Sequence, residues 1–222
     1  MNRLLAISDI HGCYDTFHEL VINRLGLKKS DRLMLLGDYI DRGEKSREVI
    51  DFIIDLKLKE YQVTALAGNH EWMLTETLKR EEMGRLWMIN DGLTTLNSFE
   101  AEDATQLDRR YTDFFSSLPY YASIGKYIFV HAGLDDDSYD PFANIQRLIW
   151  ECRTGYSNPI LAGKIIVHGH RPKTREYVKN IIQSGSSVIP IDTGCVYDNY
   201  EGYGFLSALE VNTMTLISVE RI

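Results

Sequence analysis

Cysteine is scarce in this chain: three residues, Cys13, Cys152 and Cys195, in 222. No two form a C-x-x-C pair, so neither a disulfide framework nor a zinc knuckle is indicated, and a reducing compartment is the simplest setting. Long apolar runs are also missing. Only residues 4–7 are apolar before Ser8 and Asp9, too few for a signal peptide, and nothing later approaches a membrane span. The expected location is the cytoplasm. Positive charge is in deficit, with 24 Lys and Arg against 32 Asp and Glu, a formal net charge of -8. That balance argues against nucleic acid and anionic membrane as partners, both of which want a basic face. A small anionic substrate stays compatible, because a bound metal can supply positive charge locally. Repeats, low-complexity tracts and linkers are absent, and no oligomerisation signal stands out.

What is present is an ordinary globular composition, 44% hydrophobic and 25% charged, in a length that suits one α/β domain over residues 1–222. Residues 4–7 read as a strand, and Phe17, Leu20, Val21 and Leu25 then mark one face of a helix ended by Gly26. Residues 32–36 form a second strand. Ser46 is placed to cap a helix carrying Val49, Ile50, Ile53 and Ile54. Residues 61–66 read as a third strand, with helix from Trp72 onward. Three strand–loop–helix units in a row predict a parallel sheet with crossover helices. A helical insertion is expected at about 81–118. After Pro119 short strands dominate, with a hairpin turning at Gly125-Lys126 and two C-terminal strands joined at Asn212-Thr213. Helices are thus expected early and strands late.

The polar residues that follow the strands carry the chemistry. The first strand runs into "SDIHG" with Asp9 and His11, the second into "GDYIDRG" with Asp38 and Asp41, and the third into "GNHE" with Asn69, His70 and Glu71. Later strands end at His131 in "FVHAG" and at His168 and His170 in "VHGH". Ligands bind beyond the carboxyl ends of strands in open α/β sheets. Five strand ends therefore deliver carboxylate, imidazole and amide groups to one edge. This mixed donor set suits Mn, Fe or Zn rather than calcium. The acidic run "LDDDSYD" at 134–140 lacks the glycine and terminal glutamate of an EF-hand loop and reads as solvated. His18 reads as solvated, and His168 as facing away from His170. Trp72, Trp87 and Trp150 read as core, and Glu71 as an acid at a helix N-terminus.

The ordered set "DIHG", "GDYIDRG", "GNHE", "HAG" and "GH" resembles the phosphoprotein-phosphatase branch of the calcineurin-like metallophosphoesterases, over residues 4 to about 200. The late "IDTGCVY" resembles bacterial members, including symmetrical diadenosine tetraphosphate hydrolases. The resemblance implies a four-layer αββα sandwich, two mixed sheets with helices outside, and two divalent metal ions, Mn first with Fe or Zn accepted. Asp9, His11 and Asp38 would hold one ion; Asp38 would bridge to a second, completed by Asn69, His131 and His170. Two-metal sites place their ions roughly 3.5–4 Å apart and lower the pKa of a bound water from 15.7 toward about 7, giving a hydroxide for in-line attack on phosphorus. His70 would be the general acid, held by Asp41. Arg42 and Arg153 would grip phosphate oxygens.

One position departs from the family. Protein serine/threonine phosphatases of this branch carry arginine just before "GNHE", where this chain has Ala67. In the family layout that position faces the incoming phosphate beside Arg42. The expected substrate is phosphoserine or phosphothreonine of a protein, or a small phosphorylated molecule. Symmetrical cleavage of a dinucleoside tetraphosphate is the alternative. A non-catalytic binding module would lack a ligand or His70, and neither is missing.

Overall fold

The computed structural model describes residues 2–222. Its strands form two sheets, one of five strands and one of four. In the first, β1 (Leu4–Ile7) pairs in parallel with β2 (Arg32–Leu35), which pairs in parallel with β3 (Gln62–Ala65). The C-terminal hairpin β8 (Phe205–Glu210) and β9 (Thr215–Glu220) joins antiparallel at the far side of β1. The sheet is therefore mixed, with order β3-β2-β1-β8-β9. In the second, the hairpin β4 (Tyr121–Ile124) and β5 (Tyr127–Val130) continues in parallel through β6 (Ile165–His168) and β7 (Val188–Pro190).

Period-two alternation explains the layering. Leu4, Ala6 and Met34 point one way and meet Phe129, Val167 and Ile189 of the second sheet. Leu5, Ile7, Leu33 and Leu35 point the other way, into helices. Both faces are buried, which is why these strands read as unbroken apolar runs. The helices against the first sheet are α1 (Tyr14–His18), drawn on as π-helical winding through Glu19–Arg24, α2 (Ser46–Leu58) and α3 (Asn69–Lys79). Three shorter ones follow: α4 (Gly84–Met88), α5 (Gly92–Ser98) and α6 (Arg109–Ser116). Outside the second sheet, Ile128, Val130 and Ile166 pack on Leu148 and Ile149 of α7 (Ile145–Trp150), and α8 (Arg175–Gln183) joins β6 to β7. Four layers, αββα, result.

The late half is thus more helical than the sequence suggests. α8 is mostly polar, with Val178 its one fully buried residue, yet Val178, Ile181 and Ile182 recur at helical spacing. Thr174 starts it by accepting a hydrogen bond from Tyr177 N. Ser46, by contrast, is not a helix cap. Lys45 occupies that position, and the Ser46 hydroxyl accepts from Asp41 N at 3.2 Å instead.

Candidate active site

The loops after β1, β2, β3, β5 and β6 converge at the carboxyl end of both sheets. Ten described non-glycine residues have positive φ, and six of them are here: Asp9, His11, Asp38, Asp41, Arg42 and His170. The left-handed region costs an L-residue roughly 1–2 kcal/mol, so its concentration at one place marks a built site rather than a folding requirement. Gly68 has no room for a side chain, because a Cβ there would overlap the Asp38 carboxylate; at Gly169 it would overlap Ser8 and Asp9.

Asp38 is central. Its Oδ2 lies 3.4 Å from His131 Nε2, 3.6 Å from His11 Nε2 and 3.9 Å from His70 Nε2. His131 Nε2 also sits 3.0 Å from Asn69 Oδ1 and 3.1 Å from His170 Nδ1. Asp9 joins through its carboxylate, which accepts from His170 N at 3.0 and 3.1 Å. Two sets of close donor atoms share Asp38: His11, Asp38 and His70 on one side, and Asp38, His131 and His170 on the other. The backbone carbonyls of Ile40 and Leu36 hold the Nδ1 atoms of His11 and His131, each at 2.9 Å, so both Nε2 atoms face the cluster. Fixing one ring nitrogen to orient the other is how histidine is prepared as a metal ligand.

These donors fit divalent transition ions. Two carboxylates, an amide oxygen and imidazole nitrogens meet at buried or half-buried positions. Cationic groups already gather on it. Arg42 Nη1 is 2.8 Å from His11 Nε2, the nitrogen an ion would occupy. Burial lowers the His131 pKa, but the charges of Asp38, Asp9 and Glu71 outweigh it and raise it to about 9. A bound ion would expel that proton. Burial and His131 hold His170 down at about 3, so its ring is neutral.

His70 is set apart. Its Nδ1 lies 2.6 Å from Asp41 Oδ2, and its Nε2 is the one fully buried side-chain nitrogen or oxygen without a partner among the described residues. Burial pushes its pKa down, yet the Asp38 charge and the Asp41 hydrogen bond overcome that and raise it. Asp41 is itself anchored by Trp87 Nε1, at 2.9 and 3.1 Å, and by Thr95 Oγ1 at 2.5 Å. The Thr95 hydroxyl also accepts from Asp41 N at 2.9 Å.

Sequence reasoning missed Trp87, Thr95 and the use of Glu71. Trp87 is core, as its apolar surroundings suggest, but it also spends its indole N–H on Asp41. The Glu71 carboxylate is fully buried and accepts from Asp38 N at 2.8 Å, Tyr39 N at 2.7 Å and Gly68 N at 2.9 Å. It ties the second and third loops together rather than merely answering a helix dipole. The signal that could have revealed it is its place three residues after Gly68, where a glutamate folds back on the start of its own helix.

Three further residues lie elsewhere than expected. Ala67 is 4% exposed and packs into the core beside the first sheet, so it does not face an incoming phosphate. Arg153 sits outside the cluster, with Nε on Glu151 at 2.9 Å and Nη2 on Asp137 at 2.7 Å. His18 is half-buried, its ring centroid 5.3 Å from that of Phe52, rather than solvated. The acidic loop is ordered by its own contacts, since Asp136 accepts from Ser157 N and Asn158 N. His168 does face away from His170, bonding Gly169 O through Nδ1 at 3.1 Å.

Beside His170, Trp150 presents its ring at 5.8 Å, edge to face, and forms one wall of an open groove of about 630 Å³ with Trp72, Leu86, Arg147 and Arg171. No described helix is long and apolar enough to cross a membrane.

Comparison with known proteins agrees with this geometry. Residues 2–197 match the calcineurin-like phosphoesterase family. A protein of Bacillus velezensis named bis(5'-nucleosyl)-tetraphosphatase PrpE, asymmetrical, is 29% identical over 221 residues, covering 87% of this chain and 84% of its own. Serine/threonine-protein phosphatase 2 of Salmonella typhimurium is 26% identical over 206 residues, covering 86% and 87%. The structure of a protein serine/threonine phosphatase from Saccharomyces cerevisiae superposes with a TM-score of 0.69 at 17% identity, covering 100% of this chain and 80% of that one.

Proposed function

The chain belongs to the calcineurin-like phosphoesterase family and is a metal-dependent phosphatase; from that membership we propose that it hydrolyses dinucleoside tetraphosphates. His70, with Nδ1 fixed on Asp41 and Nε2 buried, unpartnered and close to Asp38, carries the hydrolytic part of this reading, and the similarity to the Bacillus velezensis protein carries the substrate. Asp9, His11, Asp38, Asn69, His131 and His170 would hold two divalent ions, with Asp38 shared; Mn suits these donors first, and Fe or Zn also fit. Bound there, such ions supply Lewis acidity to phosphoryl oxygens and a water of lowered pKa.

The chain's own residues do the rest. His70 gives its Nε2 proton to the leaving oxygen, while Asp41 keeps the ring oriented and favours its protonated form. Arg42, on the same loop as Asp41, grips phosphate oxygens once it leaves His11. Arg153 does so by exchanging Glu151 and Asp137 for substrate. Trp72 and Trp150 offer faces for a nucleobase, and Arg171, which has no carboxylate partner, offers charge for the additional phosphates. The three free thiols fit action in the cytoplasm, and residues 1–222 are treated as one domain with a helical insertion at 81–118.

The name of the Bacillus velezensis relative favours an asymmetrical cut, giving ATP and AMP from diadenosine tetraphosphate rather than two ADP. A second reading, phosphoserine or phosphothreonine of a protein, is favoured by the openness of the groove and the Salmonella typhimurium relative. The test is kcat/KM on diadenosine tetraphosphate and on a phosphoserine peptide at one manganese concentration, with products resolved by chromatography. The dinucleotide is expected to lead by at least about tenfold, a difference of one decade in transition-state binding. A peptide that equals or exceeds it overturns the substrate reading. Activity that survives exhaustive chelation overturns the assignment of the ion-binding residues.

A further inference from the structure

A second enclosure lies on the outer face of the four-stranded sheet, where α8 crosses the carboxyl ends of β6 and β7. It is a cavity of about 190 Å³. Its body is apolar, made by Tyr177 and Ile181 of α8 against Val188 and Pro190 of β7. Its rim is basic, made by Arg153, Arg171 and Lys173. None of the metal-binding candidates lines it.

The rim is unusual for a chain of net charge -8. Arg153 is engaged by Glu151 and Asp137. Among the described residues, the Arg171 and Lys173 side chains have no carboxylate partner, and Lys173 Nζ stands 5.7 Å from the Tyr177 ring centroid. A third group points the same way. His168 is 4% exposed and adds an imidazole to the cavity wall, its Nδ1 lying 3.1 Å from Gly169 O. Cys152, in the same wall, adds no negative charge, because burial pushes its thiol up to about 12. Two cations without carboxylate partners beside an apolar hollow describe a receptor for an amphipathic anion.

We propose that this cavity is a second binding site, for a small organic anion with a compact apolar body. The anionic group, carboxylate or phosphate, lies between Arg171 and Lys173, and the body rests on Tyr177, Ile181 and Val188. An apolar cavity of roughly 150 Å³ holds benzene, so a single ring fits. Arg171 also borders the groove beside Trp150, so the two sites share a rim residue, whereas Lys173, Tyr177 and Ile181 line this cavity and not the groove.

Benzoate and phenylphosphonate are the probes, titrated calorimetrically into the metal-loaded full chain and into two variants. Ile181→Trp fills the hollow, and Lys173→Gln removes one rim charge. Activity on nitrophenyl phosphate, expected to be unchanged, checks that each variant is folded. Both probes should bind the wild type in the millimolar range. Ile181→Trp should weaken them at least about tenfold, and Lys173→Gln roughly two- to fivefold, the size of one exposed charge contact. The tighter probe identifies carboxylate or phosphate as the natural group. No binding at tens of millimolar, or unchanged affinity in either folded variant, overturns the site; the latter would place the probes at the metal-binding loops.

Discussion

The two flanks of the proposed metal-binding cluster are built to different standards. On one flank His70 is fully buried, its Asp41 partner is fully buried, and Asp41 is held in turn by Trp87 and Thr95, both also sealed from solvent. On the other flank His170 is half-buried, held by its backbone N–H on Asp9 and by ring contacts to His131 and Trp150. The residue after it, Arg171, is exposed and bounds an open groove. A proton donor must be aimed within a fraction of an ångström, so its supports are locked by packing and hydrogen bonds. A substrate-facing rim can remain open, because groups that meet large ligands lose little by adjusting. The contrast separates where chemistry is fixed from where substrate choice is made.

Removing the donor should have the largest effect. His70→Asn is expected to lower turnover on an alkyl phosphate or a dinucleotide by roughly 10²–10⁴, the usual size of general acid catalysis. Nitrophenyl phosphate, whose leaving oxygen needs little protonation, should keep far more of its rate. Metal content by elemental analysis should stay near the wild-type value. Equal losses on both leaving groups would remove the proton-donor role from this flank.

Loosening the support without touching the donor comes next. Trp87→Phe deletes one hydrogen bond to a charged, buried carboxylate, and Thr95→Val deletes another. Each is worth about 1.5–3 kcal/mol. If that energy is realised in the transition state, each variant loses roughly ten- to hundredfold in kcat. The loss should again be larger for poor leaving groups, and Thr95→Ser should restore most of it. A merely structural role would lower the melting temperature while leaving the leaving-group dependence untouched.

These supports also show what sequence can and cannot convey. The four layers came only through the family resemblance. The three early parallel strands and the groups at the strand ends were legible, because local signals coincide there: an apolar run, then acid or histidine at fixed offsets. Trp87 and Thr95 were not, since they reach Asp41 across 46 and 54 residues through α4 and α5, and neither helix carries a pattern that says where its inward side chain ends up. Ser46 had the composition of a helix cap, but a closer competitor, Asp41 N, took its hydroxyl. Ala67 was read from a motif position alone, and only packing reveals that it faces the core. α8 did carry a signal, Val178, Ile181 and Ile182 at i, i+3 and i+4, which a strand-rich reading of the late half passes over.

The smallest expected effect tests the open flank. Arg171 is exposed and has no carboxylate partner, so a phosphate reaching it would pay little to displace water and gain little in return. Exposed ion pairs are worth about 0.2–1 kcal/mol. Arg171→Ala should therefore raise KM for diadenosine tetraphosphate by only roughly two- to fivefold, with kcat unchanged. Nitrophenyl phosphate, which has no second phosphate to reach the groove, should show no change in either constant. This split distinguishes a rim contact from damage to the neighbouring His170, because displacing this proposed metal ligand would depress kcat on both substrates together. If Arg171→Ala lowers kcat as strongly as Trp87→Phe does, the two flanks are equally built into the chemistry, and the distinction between fixed and open sides fails.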